Sequence, residues 1–174
     1  MQDLWLLKLD ASAATADRLA RWRRGCPALR AWQGVDDPWM YLYLPGDLPA
    51  GDKPIAAGAD WTRLTCVQSL DGASAGQPAP YHYIVETDVL PEHEEDLRAW
   101  YAEEHLPGLA AVPGTVRAAR YVDVQGSPRY YACYDLTSPG TLGCPPWLAV
   151  RGTAWSSRVR PAFRNTRRTM FRQA

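Results

Sequence analysis

The fold of this chain is decided in the stretch Asp96-Leu-Arg-Ala-Trp-Tyr-Ala-Glu-Glu-His-Leu-Pro-Gly-Leu-Ala-Ala-Val-Pro-Gly114. Four of its residues have the spacing i, i+3, i+4, i+7 of an amphipathic helix: Leu97, Trp100, Tyr101 and Glu104. The next break, Leu106-Pro107-Gly108, disfavours a helix because proline lacks a backbone N–H and clashes with the preceding turn. We therefore expect His105 at a helix C-terminus, on the rim where the helix meets a loop.

On both sides of this stretch the chain shows the same order of elements twice. The first half predicts strands at 4–9, 29–35, 39–44 and 62–70, a helix at 13–24, and a polar stretch rich in Gly and Pro at 45–60. The second half predicts strands at 81–89, 116–124, 129–136 and 165–171, with helices at 91–105 and about 146–153. Trp22 corresponds to Trp100, and the turn residue Pro38 corresponds to Pro128.

This repetition predicts an α+β protein made of two βαββαβ units. Each unit leaves one face of a four-stranded antiparallel sheet uncovered, so two units in one chain can close on each other as a pseudo-dimer. The predicted boundaries are 1–70 for a first, degenerate repeat, 71–80 for a small polar linker, and 81–174 for the second repeat.

The charge balance, the cysteine spacing and the absence of long apolar runs indicate which kinds of partner are not expected. The chain has 174 residues with 19 basic and 19 acidic side chains, so nucleic acid is not expected as a partner. Its four cysteines lie far apart and form no C-x-x-C pair, so we expect no structural metal and predict free thiols. No signal peptide opens the sequence and no run reaches the roughly 18 apolar residues of a membrane span, so we expect a cytoplasmic protein without membrane contact.

The charges are unevenly distributed along the chain. From residue 151 onward the side chains include no carboxylate and seven arginines: Arg151, Arg158, Arg160, Arg164, Arg167, Arg168 and Arg172. One interpretation is pairing with the acidic stretch 86–104 and ordinary solvation. The other is an arginine-lined pocket for an anionic or enolate-bearing ligand, because the planar guanidinium group binds such oxygens well.

The stretch 96–114 and the strands around it resemble the dimeric α/β-barrel superfamily of ferredoxin-like domains, and within it most closely the EthD-like family. The resemblance is carried by Trp100-Tyr101, Glu104-His105-Leu106-Pro107, Pro113-Gly114 and Arg120-Tyr121, and it covers roughly residues 81–136. It implies tandem ferredoxin-like repeats that form an intramolecular dimeric α/β-barrel. The first half matches in architecture alone, because Cys26-Pro27 stands where the second half has the histidine. The superfamily includes isomerases, polyketide cyclases, oxygenases and haem enzymes, so the resemblance predicts the fold better than the reaction.

His105 is the main catalytic candidate. Its ordinary pKa suits acid and base catalysis, and a helix C-terminus would favour its cationic form. In relatives, a histidine at this position faces the cleft between helix and sheet. The alternative is a structural cap, in which the ring bonds the last helical carbonyls and packs on the Pro107 loop. His82 and His93 are weaker candidates, since His82 lies on a strand and His93 lies in an acidic helix start.

Tyr83 and Tyr121 are the predicted partners of His105 in catalysis, since a phenol can polarise a substrate carbonyl. Five further residues are expected around the substrate: Glu86, Trp100, Tyr101, Arg120 and Tyr131. Strand alternation puts Tyr83 on one sheet face and both His82 and Glu86 on the other. Each tyrosine can equally be ordinary sheet packing, and Trp100 is also expected in the core, because its counterpart Trp22 lacks the histidine.

Three functions remain open from the sequence. The first is a small enzyme, of isomerase, cyclase or cofactor-free oxygenase type, acting on a hydrophobic, oxygenated aromatic or polyketide-like molecule with His105 as acid or base. The second is a small-molecule binding protein without turnover, and the third is a degenerate repeat that serves assembly only. No nucleotide-binding or serine-hydrolase motif is present, and we expect no cofactor, although haem ligation by His105 is left open. The chain would be a monomer with an internal pseudo-dimer, or a homodimer.

Overall fold

The computed structural model describes residues 2–46 and 61–174. In the first part of the chain, β1 (Leu4–Asp10) leads to α1 (Ala16–Gly25), followed by β2 (Arg30–Gly34), β3 (Trp39–Pro45) and β4 (Thr62–Asp71). Most of the polar stretch predicted at 45–60 lies outside the described residues. The N-terminus of α1 is capped by Thr15, whose hydroxyl accepts from the backbone N–H of Arg18.

The second part repeats this order with additional helices. The strands are β5 (Tyr81–Val89), β6 (Thr115–Val122), β7 (Tyr130–Leu136) and β8 (Phe163–Gln173). Between β5 and β6 lie α2 (Glu94–Trp100), a π-helical turn (Tyr101–His105) and α3 (Leu106–Ala110). Between β7 and β8 lie α4 (Pro145–Arg151) and α5 (Ala154–Val159), of which the sequence predicted only the first.

The eight strands form one closed antiparallel barrel in the order β1-β3-β2-β8-β5-β7-β6-β4. Each half contributes four neighbouring strands in the ferredoxin-like order, β4-β1-β3-β2 and β8-β5-β7-β6. The halves join where Gly34 of β2 pairs with Phe171 of β8, and where Ser69 of β4 pairs with Ala119 of β6. The predicted α+β fold of tandem ferredoxin-like repeats that close on each other is therefore confirmed.

Three apolar clusters form the core. One fills the inside of the barrel with residues from all eight strands, including Leu6, Trp32, Ile84 and Phe171. The other two lie outside the barrel, between each sheet and its helices, and are centred on Trp22 in the first repeat and on Trp100 in the second. The barrel interior is thus packed, and the space for a ligand lies at its ends or under the helices.

The helical segment that begins at Glu94 does not end at His105, so the predicted break at Leu106-Pro107-Gly108 is wrong. The chain passes from the π-helical turn directly into α3, with Pro107 in the first turn of α3. A proline inside an α-helix loses one backbone hydrogen bond and clashes with the carbonyl four residues earlier. The wider π-helical turn changes that hydrogen-bond pattern just before Pro107, so the helix continues to Ala110.

The predicted linker 71–80 is attached to the second repeat by backbone hydrogen bonds. Ala73 and Ser74 donate to the carbonyls of Ala110 and Thr115, and the Ser74 hydroxyl accepts from the N–H of Gly114. Gly114 has a φ of +97°, a conformation that glycine adopts without strain. The domain boundaries predicted at 70 and 81 stay predictions, because both repeats share one barrel.

Candidate functional site

His105 lies beside a small cavity between the outer face of the second sheet and its helices. The cavity holds about 30 Å³, and its walls include Tyr83 of β5, Trp100 of α2 and Trp147 of α4. At roughly 15 Å³ for each water, this is room for about two water-sized groups. His105 is the last residue of the π-helical turn, at the point where α2 leads into α3, and it is buried there.

The His105 ring is buried and has an unusual environment. His105 is 7% exposed. Its ring stacks on the Trp100 ring, with the ring centroids 4.0 Å apart and an angle of 23° between the two planes. Within the described residues, Nδ1 has no hydrogen-bond partner. As the residue before α3, His105 makes no side-chain capping hydrogen bond within the described residues, and the helix does not end at His105, where the alternative role as a C-terminal cap would place it.

The expectation of a cationic His105 is wrong. Burial lowers the pKa of His105 to about 3, and the positive charges of Arg151, Arg160 and Arg120 act in the same direction. The helix dipole does not favour the cation here, because the helix continues for another turn and charged neighbours outweigh a partial charge. His105 is thus a neutral imidazole at physiological pH, and its low pKa makes it a weak base unless a neighbouring anion raises that pKa.

Three of the seven C-terminal arginines line the same cavity: Arg151, Arg160 and Arg168. Among the described residues, none of the three has a carboxylate oxygen within 4 Å of its guanidinium group. The nearby acidic side chains have other partners, since Asp96 pairs with Arg158 and Glu104 accepts from the Thr153 hydroxyl. The predicted pairing with the acidic stretch 86–104 is observed for Arg158, whereas the anionic ligand predicted for an arginine-lined pocket stays a prediction.

Further polar groups around the cavity lack protein partners. The indole nitrogens of Trp100 and Trp147 are buried without a hydrogen-bond partner in the described part of the chain. Burial raises the pKa of the Tyr83 hydroxyl, so this phenol stays protonated and able to donate. Buried polar groups in proteins are nearly always hydrogen-bonded, so these two indole nitrogens are candidates to bind a ligand.

The predicted residues divide between the two faces of the sheet. Tyr83, Trp100 and His105 line the cavity, and Tyr101 and Arg120 lie just behind them, with the Arg120 guanidinium 4.3 Å from the Tyr101 ring centroid. On the opposite face, inside the barrel, lie Glu86, Tyr121 and Tyr131. The sheet separates these three from His105, so they cannot contact a substrate held in its cavity.

Glu86 is fully buried at one end of the barrel interior. Its carboxylate binds the ammonium group of Lys8 and accepts from the Tyr41 hydroxyl at 2.7 Å. The Lys8 ammonium lies 5.1 Å from the centre of the Tyr131 ring. No local pattern in the sequence singles out Lys8 or Tyr41, because their partner is 45 or more residues away.

No protein-family model matches this sequence, and no curated protein matches it. Solved structures do. A ferredoxin-fold protein related to antibiotic biosynthesis monooxygenases, from Listeria monocytogenes, superposes with a TM-score of 0.62 at 9% identity, over 100% of this chain and 96% of its own. The chain has the dimeric α/β-barrel fold.

Two further structural neighbours have names that refer to chemistry. A haem-degrading enzyme from Listeria monocytogenes aligns over 99% of both chains with a TM-score of 0.62 and 9% identity. An anthrone oxidase-like protein aligns over 99% of this chain and 90% of its own, with a TM-score of 0.55 and 15% identity. At these identities the likeness shows the fold alone.

Haem does not fit beside His105 in the observed arrangement. The cavity of about 30 Å³ is far smaller than the several hundred Å³ that a cofactor of that size needs. Elsewhere in the described ranges, no group of three or more His, Cys, Asp or Glu side chains is placed to hold a metal ion. No helix within those ranges is long and apolar enough to cross a membrane.

Proposed function

We propose that the protein is a cofactor-free, oxygenase-type enzyme that acts on a small phenolic or enolisable aromatic ketone at the His105 cavity. The observation that carries the proposal is the buried imidazole of His105, whose Nδ1 has no hydrogen-bond partner among the described residues, beside three arginines that have no carboxylate partner in the same part of the chain. An uncompensated positive rim favours an anion, and a neutral imidazole can create that anion by taking a proton from the substrate.

His105 would face the acidic carbon of the substrate, and the Tyr83 hydroxyl would donate to its carbonyl oxygen, which in an anthrone lies across the central ring from that carbon. The remainder of the substrate would lie at the mouth, among Arg151, Arg160 and Arg168. The observed cavity of about 30 Å³ is too small for an aromatic ring, as it is for haem, so any entry of the substrate ring requires the α4 and α5 region to move outward. Closure of loops or domains around a substrate is common in enzymes that exclude water from the reaction.

One structural neighbour is an anthrone oxidase-like protein. The oxidation of an anthrone by O₂ balances without a cofactor. His105 takes a proton from the methylene carbon, and the resulting anion transfers electrons to O₂. The CH₂ group becomes a C=O group, so one oxygen atom of O₂ enters the product and the other leaves in water. The arginines contribute by stabilising the anion. The negative charge of the anion in turn offsets the lowering of the His105 pKa by the arginines, so His105 becomes a stronger base.

Binding without turnover is the second candidate, because the same cavity and charges would hold an aromatic anion that does not react. The likeness of roughly residues 81–136 to the EthD-like family stays a prediction, and it does not distinguish an enzyme from a binding protein. Isomerase or cyclase chemistry would also use His105 as a base, but the oxygenase type is favoured by the names of several structural neighbours.

Oxygen uptake separates these candidates. An oxygen electrode would measure the wild type, a His105→Phe variant and a His93→Gln control with anthrone in chelator-treated buffer, with the background autoxidation rate subtracted. We expect the variant to lose on the order of 100-fold or more in rate, the contribution of a general base. The control should keep the wild-type rate. Saturable binding of anthrone without oxygen uptake would favour the binding protein, and no binding at all would refute both.

A further inference from the structure

A second cavity lies at the end of the barrel interior opposite to Lys8 and Glu86. It holds about 50 Å³, and its walls include Arg30 of β2, Tyr43 of β3 and Arg117 of β6. At roughly 15 Å³ for each water, it has room for a group of three or four heavy atoms. The sheet separates this cavity from His105, so nothing in the proposed oxygenase chemistry uses it.

Behind the cavity wall, three buried side chains form a line of hydrogen bonds. Asp135 Oδ1 is 2.7 Å from His82 Nδ1, and His82 Nε2 is 3.0 Å from the Tyr43 hydroxyl. His82 and Tyr43 are 2% and 3% exposed. A carboxylate on Nδ1 selects the tautomer with the proton on that nitrogen, so Nε2 accepts from the Tyr43 hydroxyl.

Two guanidinium groups share the single carboxylate of this cluster. Arg30 Nη2 lies 3.1 Å from both oxygens of Asp135, and Arg117 Nε lies 3.9 Å from Oδ2. Arg117 also donates to the Tyr121 hydroxyl. Each guanidinium has five N–H donors, so both keep donors for another group. With His82 neutral, the cluster has two positive charges and one negative charge facing a cavity.

We propose that this cavity binds the carboxylate group of a small molecule between Arg30 and Arg117, and that binding brings a proton onto His82. A planar carboxylate matches both the size of the cavity and the fork of a guanidinium group. A tetrahedral phosphate has five heavy atoms and exceeds the space available.

The coupling to a proton follows from the direction of the hydrogen bonds. While His82 is neutral, the Tyr43 proton points to Nε2, and the Tyr43 oxygen presents only lone pairs to the cavity. Once His82 is protonated, Nε2–H donates to Tyr43, and the Tyr43 O–H is free to donate to the bound carboxylate. Tyr43 thus turns from an acceptor into a donor at the floor of the site.

The groups that face His82 are consistent with this switch. Burial lowers the pKa of His82, the charges of Arg30 and Arg117 add to that effect, and Asp135 opposes it. The aromatic neighbours of the ring carry no formal charge: Trp32 stacked at 4.8 Å, Tyr43 and Phe171. A bound carboxylate offsets the arginines, so it raises the pKa of His82, and binding strengthens as the pH falls.

Nitrogen-15 spectra of the histidine rings test the proposal directly, because the whole chain contains three histidines. Sodium formate would be titrated into the labelled protein at pH 7, at constant ionic strength maintained with sodium chloride. We expect the His82 nitrogens to move saturably toward the values of a doubly protonated ring. Arg117→Gln should weaken the apparent affinity about tenfold, the loss of roughly 1.4 kcal/mol for one charged partner. Arg21→Gln, on the exposed face of α1, is the matched control and should not change it.

Each other outcome would overturn the proposal. A linear or absent response of His82 to formate excludes the site, as does the same affinity in Arg117→Gln and in Arg30→Gln, provided that both variants melt like folded proteins. A saturable response to inorganic phosphate but not to formate refutes the carboxylate class. The response should persist in His105→Phe, so that failure of the oxygenase proposal leaves this one intact.

Discussion

Replacing His105 by Phe should stabilise the protein, and should do so more strongly at low pH. Phenylalanine keeps a flat ring on Trp100 and removes Nδ1, a buried polar atom without a partner in the described part of the chain. Such an atom costs about 1–3 kcal/mol, so we expect a gain of about 1 kcal/mol at pH 7 after repacking losses. A residue kept in spite of that cost is typical of a functional site.

The additional gain at low pH comes from linkage. The pKa of His105 is about 3 in the folded protein, against an ordinary value of 6.5, so the unfolded chain binds a proton between these values and the folded chain does not. The free energy of unfolding is therefore unaffected by this titration above pH 6.5 and decreases as the pH falls below that value. Between pH 7 and pH 5 the loss is about 2 kcal/mol, at 1.36 kcal/mol for each unit. The variant lacks this loss.

Urea denaturation followed by tryptophan fluorescence would measure both effects at pH 7 and pH 5. His82 is present in both proteins, so its own titration cancels in the comparison. The stability difference between variant and wild type should grow from about 1 to about 3 kcal/mol on acidification. If His105→Phe is destabilised by the same amount at both pH values, His105 is not a buried neutral group with an unsatisfied Nδ1, and its role is packing.

Three other substitutions test the His105 cavity, the buried Lys8–Glu86 pair and the packing of α3. Arg151→Gln should raise the pKa of His105, seen in its ring nitrogen spectrum, and weaken binding of an aromatic anion about tenfold in a fluorescence titration. Lys8→Met should cost about 3–5 kcal/mol of unfolding free energy because it strands the buried carboxylate of Glu86, and adding Glu86→Leu should recover most of it in urea denaturation. Equal losses in the single and double variants would contradict a coupled pair. Gly108→Ala should cost about 1–3 kcal/mol, because its new Cβ would lie 2.8 Å from Val150 Cγ1, whereas Gly25→Ala meets no atom within 4 Å and should be neutral in the same assay.

Much of the fold was predictable from local pattern. The repeat of strand and helix signals around Trp22 and Trp100 predicted both halves, and the predicted span of β5 agrees with the observed one, Tyr81–Val89. The π-helical turn was not predictable, because the usual effect of Pro107 is to end a helix and the wider turn that accommodates it leaves no pattern in the sequence. Helix α5 was missed because it is only six residues long, too short to show a helical period.

His105 and Tyr83 were predicted from the sequence and lie at one cavity, and their function stays a prediction. The protonation of His105 was not predictable, because it depends on burial and on Arg151 and Arg160, which come from elements about 50 residues away. Alternation along β5 already separated Tyr83 from Glu86, so the expectation that both surround one substrate conflicted with the sheet itself. Which arginines remain without carboxylates depends on the packing of α4 and α5, and a linear charge count cannot show it.

An anaerobic absorption spectrum tests the role of His105 as a base most directly, since it isolates proton removal from the reaction with oxygen. Anthrone would be mixed without O₂ at pH 6 with the wild type, with His105→Phe and with His93→Gln. We predict a saturable absorption band of the bound anion in the wild type and the control, which disappears in His105→Phe. An anion band of equal strength in His105→Phe, or no band in the wild type despite measured binding, would contradict proton removal by His105.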